Sequence, residues 1–169
     1  MSRLTTFALL IPLALIATSA IAAKLPAPVT KQIEELSSTC RGVGGKLVNP
    51  KQAILSADLN QDSQPDYVID QSAMICDGAA TVFSGSGGSH VDVFASTSSG
   101  YINAWSGGAF GAKIDRGVLW LALGGGYCGQ KQASSRAAMQ GCERALSWNP
   151  AERKMFLDPN IKPRPTTFQ

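Results

Sequence analysis

The chain has 169 residues, enough for one domain with a sizeable core. Its formal charge of +3 is scattered and only 16% of residues are charged. That excludes a nucleic-acid footprint and an electrostatic membrane surface.

The first segment reads as an address rather than as fold. Arg3 gives a short positive start, Phe7 to Ala17 is apolar, and Ala20-Ile21-Ala22 is a small-x-small cleavage site. The apolar run is too short to span a bilayer. A cleaved signal peptide over 1–22 is therefore expected, with a mature chain beginning near Ala23 or Lys24. No cysteine flanks the cleavage site, and no later stretch is long and apolar enough to cross a membrane. The expected location is periplasmic or secreted, without membrane insertion of the mature chain.

In such a compartment Cys40, Cys76, Cys128 and Cys142 read as two disulfides. Three connectivities are open. Cys40–Cys76 with Cys128–Cys142 is favoured because each bond then closes a local loop, worth roughly 3–4 kcal/mol by chain entropy. A four-thiolate metal site is the competing reading, but no Cys-x-x-Cys pair is present.

From Pro28 to Cys40 the apolar positions Val29, Ile33, Leu36 and Cys40 fall on one helical face, with Lys31, Gln32, Glu34 and Glu35 opposite. Gly42, Gly44 and Gly45 stop that helix. Gln52 to Leu59 reads as a strand, and so does Tyr67 to Asp70, which is aromatic and β-branched. His90 to Ala95 and Tyr101 to Trp105 alternate and predict a hairpin. The alternation places Ile102 and Ala104 opposite Tyr101, Asn103 and Trp105. Val118 to Leu123 is apolar on both faces and predicts a central strand. Gln130 to Gln140 is a polar loop or short helix. Arg144 to Trp148 and Lys154 to Leu157 predict a last hairpin. Residues 158–169 hold three prolines and no apolar period, so a disordered tail is expected.

The expected fold is mainly β (α+β). One disulfide-braced domain over 23–157 forms an antiparallel sheet or sandwich, with one N-terminal amphipathic helix packed on it.

Between the first two strands lies Asp58-Leu59-Asn60-Gln61-Asp62-Ser63-Gln64-Pro65-Asp66. Oxygen side chains recur at Asp58, Asn60, Asp62 and Asp66, and the Gln64 carbonyl is a further donor. Calcium needs six to eight hard oxygens at about 2.3–2.6 Å, and alternating side chains on a curled loop supply them. An Asx-rich turn that bonds its own backbone is the other reading. The loop is not an EF-hand, because Ser63 and Ile69 stand where that motif has Gly and Glu. Its spacing resembles the calcium loops of FG-GAP (integrin-type and VCBS-type) repeats, in which Gly usually stands where Gln61 stands here. That resemblance implies a structural calcium ion held by Asp58, Asn60, Asp62, Gln64 and Asp66.

A wider likeness takes in Asp58 to Asp70, Cys76-Asp77-Gly78-Ala79-Ala80, Phe83 to Ser89, Cys128-Gly129 and Cys142. It is similar to a family of uncharacterised exported bacterial proteins that carry cysteines where Ser84 and Ser89 stand. The likeness implies a periplasmic location and supplies no activity.

Other motifs are weaker. Ser84 to Ser89 could cradle an anion but lacks the Gly-Lys-Ser/Thr of a P-loop, and a turn is the plainer reading. Ser89, His90 and Asp92 suggest a triad, yet Ser89 and His90 are adjacent on a strand and must point to opposite faces. His90 is the single histidine, which argues against catalytic zinc. Trp105, Trp120 and Trp148 could form a ligand platform, with core as the commoner fate of such side chains. The first expectation is a non-enzymatic exported domain that binds an envelope component or protein. The alternative is an exported hydrolase using His90 with a nearby serine.

Overall fold

A computed structural model of the chain describes residues 24–130 and 140–167. The expected signal peptide and most of the Gln130–Gln140 segment lie outside the described residues.

The helix α1 (Ala27–Gly42) forms where the apolar spacing placed it. Pro28 sits in its first turn, where a missing N–H costs nothing. The chain leaves it through Gly44, whose φ of 83° favours glycine, and the Gly45 N–H bonds the Cys40 carbonyl at 2.9 Å. The buried face is Val29, Leu36 and Cys40.

The strands are antiparallel. β1 (Lys46–Val48) pairs with β4 (Ile75–Asp77). In the first sheet β2 (Ile54–Ala57) pairs with β3 (Asp66–Asp70), and β3 pairs with β6 (Gly88–Thr97). The short β5 (Ser84–Gly85) continues the β3 side of β6, while β7 (Gly100–Ala109) covers its other edge. Ser84 and Ser89 are register partners across the β5–β6 turn. In the second sheet β8 (Gly111–Asp115), β9 (Val118–Leu123), β10 (Cys142–Asn149) and β11 (Lys154–Leu157) lie in order. As its apolar sequence requires, β9 is flanked on both sides.

Side-chain alternation then builds three layers. Val68, Val91, Val93 and Ala95 of the first sheet meet Leu119, Leu121, Leu123 and Leu146 of the second in one core. Tyr67, Ile69 and Phe94 point the other way, into a second core with Val29, Leu36 and Cys40. The molecule is a helix on a β-sandwich. The disulfides are Cys40–Cys76, which ties the end of α1 to β4, and Cys128–Cys142. Among the described residues no helix is long and apolar enough to cross a membrane.

Two expectations are corrected. Residues 158–167 are not an unstructured tail. The strand β12 (Arg164–Pro165) pairs with Cys142 and Glu143 of β10. Arg164 lies over Trp120, 3.7 Å from the ring centroid, and its guanidinium bonds Glu143 and Asp115. The anchor is a charge contact far away in sequence, which no local apolar period reports.

The second correction concerns β7. The β6–β7 register shifts between Val93 and Phe94, so that Phe94 faces Asn103 and Val93 faces Trp105. The unpaired Ala104 is a bulge, and a bulge reverses the facing of everything beyond it. Tyr101 packs on the helix side and Trp105 in the inter-sheet core, so the two do not share the face that alternation gave them, while core as the commoner fate holds for Trp105. Ser106 is thereby aimed at Asp92.

Candidate functional site

The acidic loop joins β2 and β3 at one end of the sandwich. Leu59 is buried in the inter-sheet core and fixes it from the apolar side. Asp66 fixes it from the polar side. This carboxylate is fully buried and accepts from Leu59 N (2.6 Å), Asn60 N (3.0 Å), Ser96 N (2.8 Å) and Ser96 Oγ (3.0 Å). Three backbone N–H groups are committed to Asp66, and the single Ser96 hydroxyl proton is shared between it and Asp62. Burial nevertheless raises its pKa, against the lowering effect of those donors.

In front of Asp66 the loop curls on itself. Asp58 accepts from Asp62 N (3.1 Å) and Ser63 N (3.0 Å). Asp62 accepts from Gln64 N (2.8 Å) and Ser96 Oγ (2.7 Å), and the Ser96 contact is the main reason its pKa is lowered. Asn60 donates to the Ser96 carbonyl at 2.9 Å. Gln61 and Ser63 sit at φ 62° and 67°, the left-handed region that glycine adopts without cost. The ligands read from sequence therefore divide. Asp58, Asn60 and Asp62 share one turn with acceptor capacity left over, Gln64 is exposed beside them, and Asp66 is committed to the scaffold behind. Among the described residues no group of three or more His, Cys, Asp or Glu side chains is arranged as a metal cage.

Beside this loop runs a cleft of ≈ 410 Å³, lined among others by Leu59, Asn60, Gln61, Ser147, Trp148 and Ile161. Among the described residues no charged side chain lines it. Trp148 belongs to its wall as well as to the edge of the core.

A second cluster lies on the first sheet, on the face that also carries Ile69. Ser106 Oγ donates to Asp92 Oδ1 at 2.6 Å and contacts His90 Nε2 at 2.7 Å. His90 Nε2 lies 3.5 Å from the same Asp92 oxygen, and Asn103 Nδ2 reaches it at 3.4 Å. Ser89 is elsewhere, donating to the Phe83 carbonyl at 2.6 Å. Alternation thus excluded Ser89 correctly, and the bulge brought in Ser106, which no periodicity in the sequence reveals. The cluster is not a catalytic triad. A triad orients its histidine by a carboxylate on one ring nitrogen and activates serine with the other. Here serine and carboxylate converge on the same nitrogen, and the carboxylate takes the hydroxyl proton.

No protein-family model, curated protein or solved structure matches this chain.

Proposed function

We propose that the chain is an exported, non-enzymatic binding domain of the cell envelope. In this reading the disulfides and the three layers hold the acidic loop and its cleft. A calcium ion takes the spare oxygens of Asp58, Asn60 and Asp62 with the Gln64 carbonyl, and stiffens one wall of the cleft. The cleft then receives an uncharged polar envelope component or protein segment. The observation that carries the reading is the adjacency of loop and cleft, which share Asn60. Gln61 and Ser63 hold left-handed backbone without glycine, which counts against tight binding and sets the expected affinity in the weak range. The Ser84–Ser89 register supports the likeness to exported proteins, since cysteines there would face each other.

The test is thermal unfolding of the oxidised mature chain in millimolar calcium and in chelator. A site of about 0.1 mM affinity adds roughly 1.4 kcal/mol at 1 mM calcium, or about 3–6 °C at this size. The shift is expected in the native chain and absent in Asp62→Ala. No shift in a folded native chain would reduce the loop to an Asx turn in a structural protein.

The hydrolase reading is favoured by the 2.7 Å contact of His90 with Ser106 and opposed by the order of groups just described. Ser106 is expected to remain unlabelled by a fluorophosphonate. Stoichiometric labelling, lost in Ser106→Ala, would restore that reading.

A further inference from the structure

The cleft beside the acidic loop opens onto the inter-sheet core. Leu59 and Leu146 belong to both, so its base is apolar. Val118 and Ile161 add aliphatic wall, and Trp148, half-buried, is its one aromatic side chain among the described residues. Its polar groups are not equally free. The Asn60 amide is spent on the loop, donating to the Ser96 carbonyl (2.9 Å) and accepting from Asp62 N (3.2 Å). Ser147 gives its hydroxyl proton to Asp158 at 2.6 Å and keeps acceptor capacity alone. Gln61 is exposed, and among the described residues its amide has no partner. Its φ of 62° is one that glycine would hold without cost. A side chain there strains the backbone and bonds nothing in the fold, yet it lines the cleft. A strained residue in a cleft wall points to a ligand contact.

We propose that the cleft binds an uncharged saccharide, with Trp148 against an apolar sugar face and the Gln61 amide on sugar hydroxyls. The inference rests on the reading of this cleft as a binding site and narrows its occupant. A pyranose ring presents C–H groups on its faces and hydroxyls around its rim. An indole among aliphatic neighbours matches the first, and an amide that both donates and accepts matches the second. The volume of ≈ 410 Å³ lies low in the range of small-molecule sites, about 300–1,000 Å³, and suits a short saccharide. A phosphate or carboxylate ligand would meet no opposite charge among the described lining residues. An extended peptide is bound by adding a strand to a sheet edge. This cleft offers none, because β10 is flanked by β9 and β11 and the remaining wall is loop and turn.

The test titrates maltose, cellobiose and N,N′-diacetylchitobiose, and separately a capped Gly-Ser-Gly peptide, into the oxidised mature chain in millimolar calcium. The readout is the indole N–H resonance of Trp148, assigned by its absence in Trp148→Phe. At least one sugar is expected to move it, while Trp105 in the core and Trp120 beneath Arg164 stay in place. Gln61→Gly is expected to unfold at the native midpoint or above it, and to bind that sugar roughly three- to tenfold more weakly, the worth of one hydrogen bond. Native affinity in Gln61→Gly would overturn the proposal. So would a lowered midpoint in that variant, which would give the side chain a role in the fold, or an equal shift of all three indoles. Movement of Trp148 by the peptide alone would overturn the saccharide and leave the binding domain standing. No movement by any probe would overturn both the saccharide and the cleft as a binding site, whatever the calcium test shows for the loop.

Discussion

Glu143→Ala is expected to cost about 3–5 kcal/mol, the range for removing one partner of a buried ion pair. Native domains of this kind hold only about 5–15 kcal/mol in all, so the variant is close to unfolding. The physical reason is the company Glu143 keeps. It is fully buried in β10, and it accepts from Lys113 Nζ (2.8 Å), Arg164 Nε (2.6 Å), Thr167 N (2.6 Å) and Thr167 Oγ1 (2.9 Å). Deleting the carboxylate leaves two cations partly buried and frees the C-terminal strand from the sheet. Arg164→Ala costs less, because that side chain is 30% exposed and leaves Lys113 and Thr167 in place.

The same residue sets an acid limb. Burial pushes the Glu143 pKa up, but Lys113, Thr167 and Arg164 outweigh it and bring it from 4.5 to about 2. A group depressed on folding contributes stability above its unfolded pKa and loses it as pH falls through the folded one. Roughly 3 kcal/mol, as an upper figure, is therefore withdrawn between about pH 4.5 and 2. Asp66 works in the opposite sense, since its raised pKa favours the fold as protons are added. Urea midpoints of the native chain and Glu143→Gln, taken from pH 6 to pH 2, check both claims. A native acid limb as shallow as that of Glu143→Gln would refute the assignment.

How far the sequence carried this reading follows from the range of each interaction. α1 was legible because its burial repeats at helical spacing, and β9 because both of its faces are apolar. The disulfide pairing was legible because each bond closes a local loop. The bulge at Ala104 was not, since an extra residue in one strand is defined only by its partner. That one residue moved Trp105 into the core and put Ser106 beside His90, so the second cluster was out of reach of alternation. The tail was misread for a related reason. Arg164 and Thr167 are ordered by a glutamate in another strand, and residue type alone does not show that Glu143 is buried. In the acidic loop, spacing identified the oxygen-bearing residues but could not tell the spare acceptors of Asp58 and Asp62 from the committed ones of Asp66.

The second large effect belongs to the Cys40–Cys76 bond. Replacing both cysteines by alanine is expected to lower stability by about 4 kcal/mol, against about 3 kcal/mol for Cys128 and Cys142, by loop entropy alone. The bonds close sequence separations of 36 and 14. Packing widens the difference. Cys40 and Cys76 are both buried in the core under the helix, so their sulfurs leave a cavity there. The neighbour that shows how tight this place is is Gly45. A Cβ on it would lie 2.4 Å from Cys76 Sγ and 2.8 Å from the Asp77 carbonyl. Neither group can yield, because the sulfur is bonded and the carbonyl is held by the β1–β4 register at Lys46 and Asp77. Gly45→Ala should thus cost about 1–3 kcal/mol through overpacking. In the Cys40→Ala, Cys76→Ala background, where the sulfurs are gone, the same change should cost less. Unfolding midpoints of the four chains close that cycle. A Gly45→Ala penalty of equal size in both backgrounds would mean that the Asp77 carbonyl, and not the disulfide, excludes a side chain there. A larger loss from the Cys128 pair than from the Cys40 pair would mean that α1 is held by its apolar face without the bond.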